Sequence, residues 1–344
     1  MEKRNRVFQG ILAGCCLLVI IFDGKTAVSA MGEGIELCVQ TVIPALFPFF
    51  VLSGLISCTL LGMRMKPLRL LSRLCRIPRG SEAILLVGLL SGYPVGAQLV
   101  TEAYQSGAIS KKTAQRMLGF CSNAGPAFIF GMLPPLFYEQ WVLWLVWAIH
   151  IASALLVGWL LPGESQEDCV IENAKPISIS QALYNAVKNI ALVCGWVMIF
   201  RVIVVFCNRW FLWLFTQEIQ VLFSGLLELS NGCILLHNIP LQGTRFLLVG
   251  LMLSFGGFCV MLQTSSVTQD LGLGSYFPGK VLQTFITLSV SCIIQPYIFT
   301  SVQSLKLPAM TYILILTVTL LMVFYIRRKK VVAFPKKMLY NTGS

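Results

Sequence analysis

Two apolar runs in the first half of the chain are each long enough to enter a bilayer, and each carries a residue that a helix cannot run through. In AILLVGLLSGYPVGAQLVTEAY, residues 83–104, Pro94 fixes its own φ and has no N–H, so a helix continued through it leaves the carbonyl of Leu90 without a donor. In RMLGFCSNAGPAFIFGMLPPLF, residues 116–137, Pro126 does the same to Ser122. Hydrocarbon holds no water to repair such losses, so irregular backbone at that depth persists only where protein or a wet cavity receives the freed groups. Breaks of this kind mark a substrate site.

The rest of the sequence agrees with a membrane setting. Only 12% of the 344 residues are charged and 56% are hydrophobic, against about a quarter charged in soluble domains. The expected fold class is all-α, a polytopic helical membrane protein with about ten hydrophobic segments of the roughly 20 residues that cross the hydrocarbon. They are Val7 to Phe22, Thr41 to Gly62, Ala83 to Tyr104, Arg116 to Phe137, Trp141 to Leu161, Ala186 to Cys207, Val221 to Leu236, Phe246 to Val267, Val281 to Thr300 and Thr311 to Ile326. One integral membrane domain covers residues 1–344: a first half over 1–162, a loop over 163–180, a second half over 181–326 and a basic tail over 327–344. The first segment, with Val28-Ser29-Ala30 after it, reads either as a cleaved signal peptide or as an uncleaved first helix.

A net charge of +12 is concentrated beside apolar runs, at Lys3, Arg4 and Arg6, at Arg64, Lys66, Arg69, Arg73, Arg76 and Arg79, and at Arg327 to Lys330 with Lys336 and Lys337. Clusters so placed set orientation and put both termini in the cytoplasm. Lys111, Lys112 and Arg116 resist a simple count, because ten crossings face them outward. If residues 83–104 re-enter as a hairpin, that loop returns to the cytoplasmic side, and the sequence leaves the choice open. Twelve scattered cysteines form no disulfide framework and read as small buried hydrophobes.

The halves look related. Leu85 to Gly92, LLVGLLSG, recurs in outline as LLVGLMLSFGG over 247–257, with Gln98 following one copy and Gln263 the other. Paired, broken segments in inverted halves point to a transporter's central site, and chance recurrence in a Leu-rich chain is the competing reading.

The candidate substrate-binding residues follow. Ser91, Gly92, Tyr93, Pro94, Gly96 and Gln98 surround the first break, and Ser122, Asn123, Gly125 and Pro126 the second. Glycines at 88, 92 and 96 equally serve close helix packing; Tyr93 and Pro94 argue for a site, since packing gains nothing from a break. Ser254, Gly256, Gly257 and Gln263 are the counterparts in the second half. Glu228, with Ser224 and Asn231 at helical spacing, makes one polar face in an apolar segment. It is either a proton-carrying carboxylate or a member of an interhelical hydrogen bond or ion pair, for example with Arg201. Glu82 and Glu102 fall at segment ends and read as interfacial.

Enzymes, metals and cofactors find no support. Gly274 to Lys280 has phosphate-loop spacing, but Val281 stands where the loop needs Ser or Thr and no strand precedes it. His150 and His237 form no metal constellation, and no nucleophile elbow or HExxH is present.

LSGYPVGAQL at 90–99, GFCSNAGPAFIFG at 119–131 and LLELSNG at 226–232 together resemble the sporulation integral membrane protein family of the YlbJ type, along nearly the whole chain. That family carries nucleoside-recognition, or Gate, segments, so the resemblance implies passage of a small solute, sporulation, and a membrane surrounding the forespore. Ser122 stands where the family pattern has a second asparagine, and the GTPase domain of the related ferrous-iron transporters has no counterpart. The implied solute is dipicolinate or another small anion; a nucleoside transporter and a non-transporting scaffold are the alternatives. Implied partners are the small-molecule substrate and the lipid bilayer, with a second copy or other sporulation membrane proteins left open and nucleic acid excluded.

Overall fold

A computed structural model describes residues 14, 17–60, 66–163, 178–300, 305 and 308–328. The basic N-terminus with most of the first expected segment, Arg64, the acidic loop of Glu164, Glu167, Asp168 and Glu172, and the basic tail beyond residue 328 lie outside the described residues.

The chain forms helices throughout these residues. Helix α1, Gly24–Leu37, continues through a wide π turn at Cys38–Val42 into α2, Ile43–Leu60. The extra residue of the π turn falls just before Pro44 and Pro48, where the ladder of helical hydrogen bonds is already interrupted. After α3, Arg69–Leu74, come α4, Glu82–Leu90, and α5, Val95–Gln105. Next follow α6, Lys111–Cys121, α7, Pro126–Met132, and α8, Trp141–Leu160. The second half begins with α9, Ile179–Trp210, then α10, Gln217–Leu227, and α11, Leu229–Leu235. It ends with α12, Gln242–Phe255, α13, Gly257–Thr268, α14, Tyr276–Ile298, and α15, Ala309–Arg328.

Among the described residues five stretches are long and apolar enough to cross a membrane: Gly24–Ile56, Trp141–Leu160, Ile179–Trp210, Gln242–Leu271 and Tyr276–Ile298, with Met310–Ile326 a shorter apolar helix. Among the described residues, two of the expected segments do not form single crossing helices. The expected segment from Thr41 to Gly62 is the second part of one long helix. Residues 83–104 form two helices of 9 and 11 residues, each covering about half the hydrocarbon thickness at 1.5 Å per residue. They fold back on each other, with Gly88 and Gly96 meeting backbone to backbone. Residues 221–236 do likewise as α10 and α11, where Gly225 lies against Gly232. The paired stretches 85–92 and 247–257 fall in unlike elements, the first in a hairpin arm and the second at the end of α12.

Two arginines define the ends of the molecule. Arg116, buried near the start of α6, donates from Nε to the Leu161 carbonyl (3.2 Å) and from Nη1 to that of Arg76 (3.2 Å). Its Nη2 donates to the carbonyls of Cys75 (2.6 Å) and Gly158 (2.5 Å). Lys111 reaches the Asp270 carbonyl and Gln115 that of Leu271, so the turns after α3, α8 and α13 share this end. Arg69, Arg73, Arg76, Arg79, Lys111 and Lys112 gather there, which removes the conflict that a full crossing at 83–104 creates. At the opposite end Arg245 donates to the carbonyls of Ile239, Leu136 and His237, and Arg209 pairs with Asp23. The hairpin of α4 and α5 thus opens at the basic end, and that of α10 and α11 at the other.

Candidate functional site

The two hairpin tips come together inside the protein. At the first, α4 stops at Leu90, Gly92 takes φ +86°, and a cis Tyr93–Pro94 peptide leads into α5. Gly92 can adopt that left-handed backbone and can also approach the amide of Gly125, at the second break, as no side chain could. Tyr93 is buried and its hydroxyl donates to the Leu253 carbonyl at 3.1 Å.

At the second tip Glu228 is extended, with φ −146° and ψ 121°, and not helical. The expected polar face of Ser224, Glu228 and Asn231 on one helix is thereby corrected: these residues lie on the two arms and the tip of a hairpin. The Glu228 carboxylate folds onto the start of α11 and accepts from the backbone N–H of Ser230 (3.0 Å) and of Asn231 (2.7 Å). It caps two of the donors that a helix start leaves unpaired. The start of α11 is thus occupied by the chain's own carboxylate. Arg201 does not pair with Glu228 through a hydrogen bond. It binds Glu33 and donates to Asn231 Oδ1 at 2.7 Å, tying α1 and α9 to the second hairpin.

Around the tips the two broken helices complete a shell. Pro126 is the first residue of α7, where a missing N–H costs nothing; the break lies in extended residues 122–125 before it. Within it the Ala124 N–H donates to His150 Nε2 at 3.2 Å. In the second half α12 ends at Gly256 with φ +83°, packed against the Tyr93 ring, and Gly257 lies against the carbonyls of residues 225–227.

A cavity of about 50 Å³, enough for a water or two, lies where these parts meet. Of the expected residues Gly92, Tyr93, Gly125, Glu228 and Gln263 line it, with Ser230, Ala124 and, from the π turn, Thr41 and Val42. Pro94 and Gln263 border a second, smaller cleft toward α9. The others stand elsewhere. Gly96 packs on the Cys121 carbonyl; Gln98 accepts from Asn189 and donates to Glu102; Ser254 donates to Thr287 at 2.7 Å. Ser91 is buried at the tip of the first hairpin. Glu82, expected at an interface, is buried and accepts from the Gly80 N–H, whereas Glu102 is exposed.

Asn123 leads to a group that the sequence presents only as the last residue of the phosphate-loop spacing. Lys280, 1% exposed on the second turn of α14, donates to Asn123 Oδ1 at 3.0 Å and to Gln283 Oε1 at 2.9 Å. Its Nζ lies 5.2 Å from the centre of the Tyr93 ring and 5.9 Å from that of Tyr276. Gln283 Nε2 donates in turn to Asn123 Oδ1 and to the His150 carbonyl. A signal exists in the sequence, a lysine flanked by apolar residues, but a segment begun at Val281 leaves it outside.

Four buried polar atoms in this region, Ser122 Oγ, His150 Nδ1, Ser224 Oγ and Asn231 Nδ2, have no hydrogen-bond partner among the described residues. Such groups in a native interior call for a partner. Among the described residues no three His, Cys, Asp or Glu side chains come together as a metal site. The arrangement places a carboxylate and an amide at the cavity and the Lys280 amino group behind Tyr93.

The chain is similar to the sporulation integral membrane protein YlbJ of Bacillus subtilis (strain 168), with 23% identity over 313 residues covering 77% of this chain and 76% of that protein. No family profile matches the chain, and no solved structure does.

Proposed function

We propose that this membrane protein acts in sporulation and passes a small solute across a membrane around the forespore, through a site held between the two hairpin tips. The observation that carries the reading is one cavity bordered by a hairpin tip from each end, Gly92–Tyr93 and Glu228, and by unwound backbone at Gly125. Irregular backbone within a span is tolerated where it lines such a cavity, and paired broken helices are the mark of a transporter's central site. The sporulation part rests on the likeness to YlbJ.

The proposal includes two inverted halves, in a register other than the one LLVGL suggests. In this register the hairpin of α4 and α5 corresponds to that of α10 and α11, the broken helix of α6 and α7 to that of α12 and α13, and α8 to α14. Arg116 and Arg245 support it, since each stands near the start of a broken helix and ties loop carbonyls at its own end. The basic end is cytoplasmic by the positive-inside rule, and both termini lie on that side.

A small anion, with dipicolinate as the first candidate, is the proposed solute. Purified protein in liposomes is expected to take up labelled dipicolinate in preference to uridine. Preference for uridine turns the reading to a nucleoside transporter. Uptake of neither, with or without a proton gradient, overturns transport and leaves the scaffold reading, in which Glu228→Gln and Asn123→Ala spare spore formation.

A further inference from the structure

Lys280 is difficult to explain as structure alone. A full positive charge inside a membrane span is costly, and long cationic side chains in such segments normally reach the surface or a carboxylate. Lys280 does neither: its hydrogen bonds among the described residues go to two amide oxygens, which orient the ammonium without neutralising it. Nor does the break at Asn123 need it. Asn123 Nδ2 already donates to the Phe120 carbonyl at 2.7 Å, and Gln283 Nε2 already donates to Asn123 Oδ1 at 3.1 Å. Asn123 keeps both of its amide bonds without the lysine, and Gln283 Oε1 is the one oxygen that then loses its donor.

Its position supplies the second observation. The Tyr93 ring covers the ammonium and also lines the cavity. Tyr93 stands at a hairpin tip between Gly92 and Pro94, with one hydroxyl bond to Leu253 and ring contacts around it. Across the cavity the one carboxylate, Glu228, is engaged by two backbone N–H groups. The side of the cavity toward Tyr93 is therefore its positive side.

Resting on the transport reading above, we infer that Lys280 selects the charge of the solute. Its ammonium receives an anionic group of the solute in place of the Asn123 and Gln283 oxygens, and Tyr93 is the partition through which that group reaches it. No bond is made or broken.

The test compares wild type with Lys280→Met, Lys280→Arg and Gln283→Leu, using dipicolinate and uridine as probes in thermal-shift titrations of detergent-purified protein and in liposome uptake. Lys280→Met keeps the volume and removes a buried charge at the cost of leaving Gln283 Oε1 without its donor, so it is expected to fold and to melt close to wild type. Its half-saturation by dipicolinate should rise at least about tenfold, since a desolvated charge pair has lost one partner. Lys280→Arg and Gln283→Leu, which keep the charge, should stay within about threefold of wild type. If wild type takes up dipicolinate and Lys280→Met binds it as wild type does, the inference fails while transport stands. If wild type neither binds nor takes up dipicolinate, both fail. Should Lys280→Met not fold, the other two variants decide: retained affinity supports a role for the charge, and a tenfold loss in both assigns the lysine to structure and overturns the proposal.

Discussion

Replacing Arg116 by methionine is the most direct test of how this fold is held together. The guanidinium ends on four carbonyls, those of Cys75 and Arg76 just after α3 and those of Gly158 and Leu161 at the end of α8. Helix ends leave such carbonyls unpaired and carry partial negative charge, so one cation serves two helices at once. Gly158 is the plainest case. Its helical partner four residues on is Pro162, which has no N–H, so among the described residues Arg116 is its donor. Hydrogen bonds to a charged donor contribute about 1.5–3 kcal/mol each, a gross of roughly 6–12 for the set. Taking the guanidinium out of water costs several kcal/mol, and carbonyls near the membrane surface regain some water once it is gone. A net loss of about 3–5 kcal/mol is expected, the range for removing one side of a buried charged arrangement. With an unfolding entropy of about 2.1 cal/mol/K per residue, a loss of about 4 kcal/mol lowers the Tm of a chain this long by roughly 5–6 °C. Thermal unfolding in detergent, followed by tryptophan fluorescence, measures it. Arg116→Lys keeps the charge without the fork and should fall between, and Gly163→Ala, whose new methyl meets the guanidinium, should resemble it. A Tm within about 1 °C of wild type for Arg116→Met would refute the capping account.

Three further outcomes follow from the site. Glu228→Gln leaves one oxygen to accept where two N–H groups now donate; a stability loss of about 1–2 kcal/mol is expected, with uptake lost, and undiminished uptake in liposomes would remove Glu228 from the mechanism. Tyr93→Phe gives up the bond to the Leu253 carbonyl but keeps the ring over Lys280; it should cost about 1 kcal/mol in a denaturant titration and leave dipicolinate binding within about threefold. Gly96→Ala drives a methyl into the Cys121 carbonyl oxygen, which belongs to backbone and cannot rotate aside; a loss near the top of the 1–3 kcal/mol range for overpacking is expected, and a wild-type melting curve would show that the hairpin and α6 are not in contact.

Proline and glycine punctuation makes the breaks legible in the sequence itself. Pro94 and the Ser122–Pro126 stretch stand where the helices stop, because a missing N–H and a left-handed glycine leave few alternatives. Hydropathy is less informative, since it reports that residues 83–104 are apolar and not whether they cross or turn back; the charge anomaly at Lys111 and Lys112 is the better guide. Glu228 is easily misread because LLELSNG contains no breaker at the glutamate. A carboxylate two and three residues ahead of Ser230 and Asn231 is equally a cap, and tertiary packing against Gly257 decides for the cap. Lys280 is lost to a segment boundary set at Val281, five residues after α14 begins. Arg116 looks like a surface charge, because nothing local announces that the carbonyls of Cys75 and Gly158 will converge on it.

The bare contacts inside the two hairpins also have a genetic consequence. Any single-base missense change in a glycine codon introduces a Cβ, and at 88, 96, 225 and 232 that atom falls on the Cys121 backbone, the Met252 side chain or the facing glycine. In a randomly mutagenised library scored for spore yield, these four codons should therefore survive only with synonymous changes. Gly32 and Gly195, with open space around them, should accept alanine in the same library and serve as its internal control.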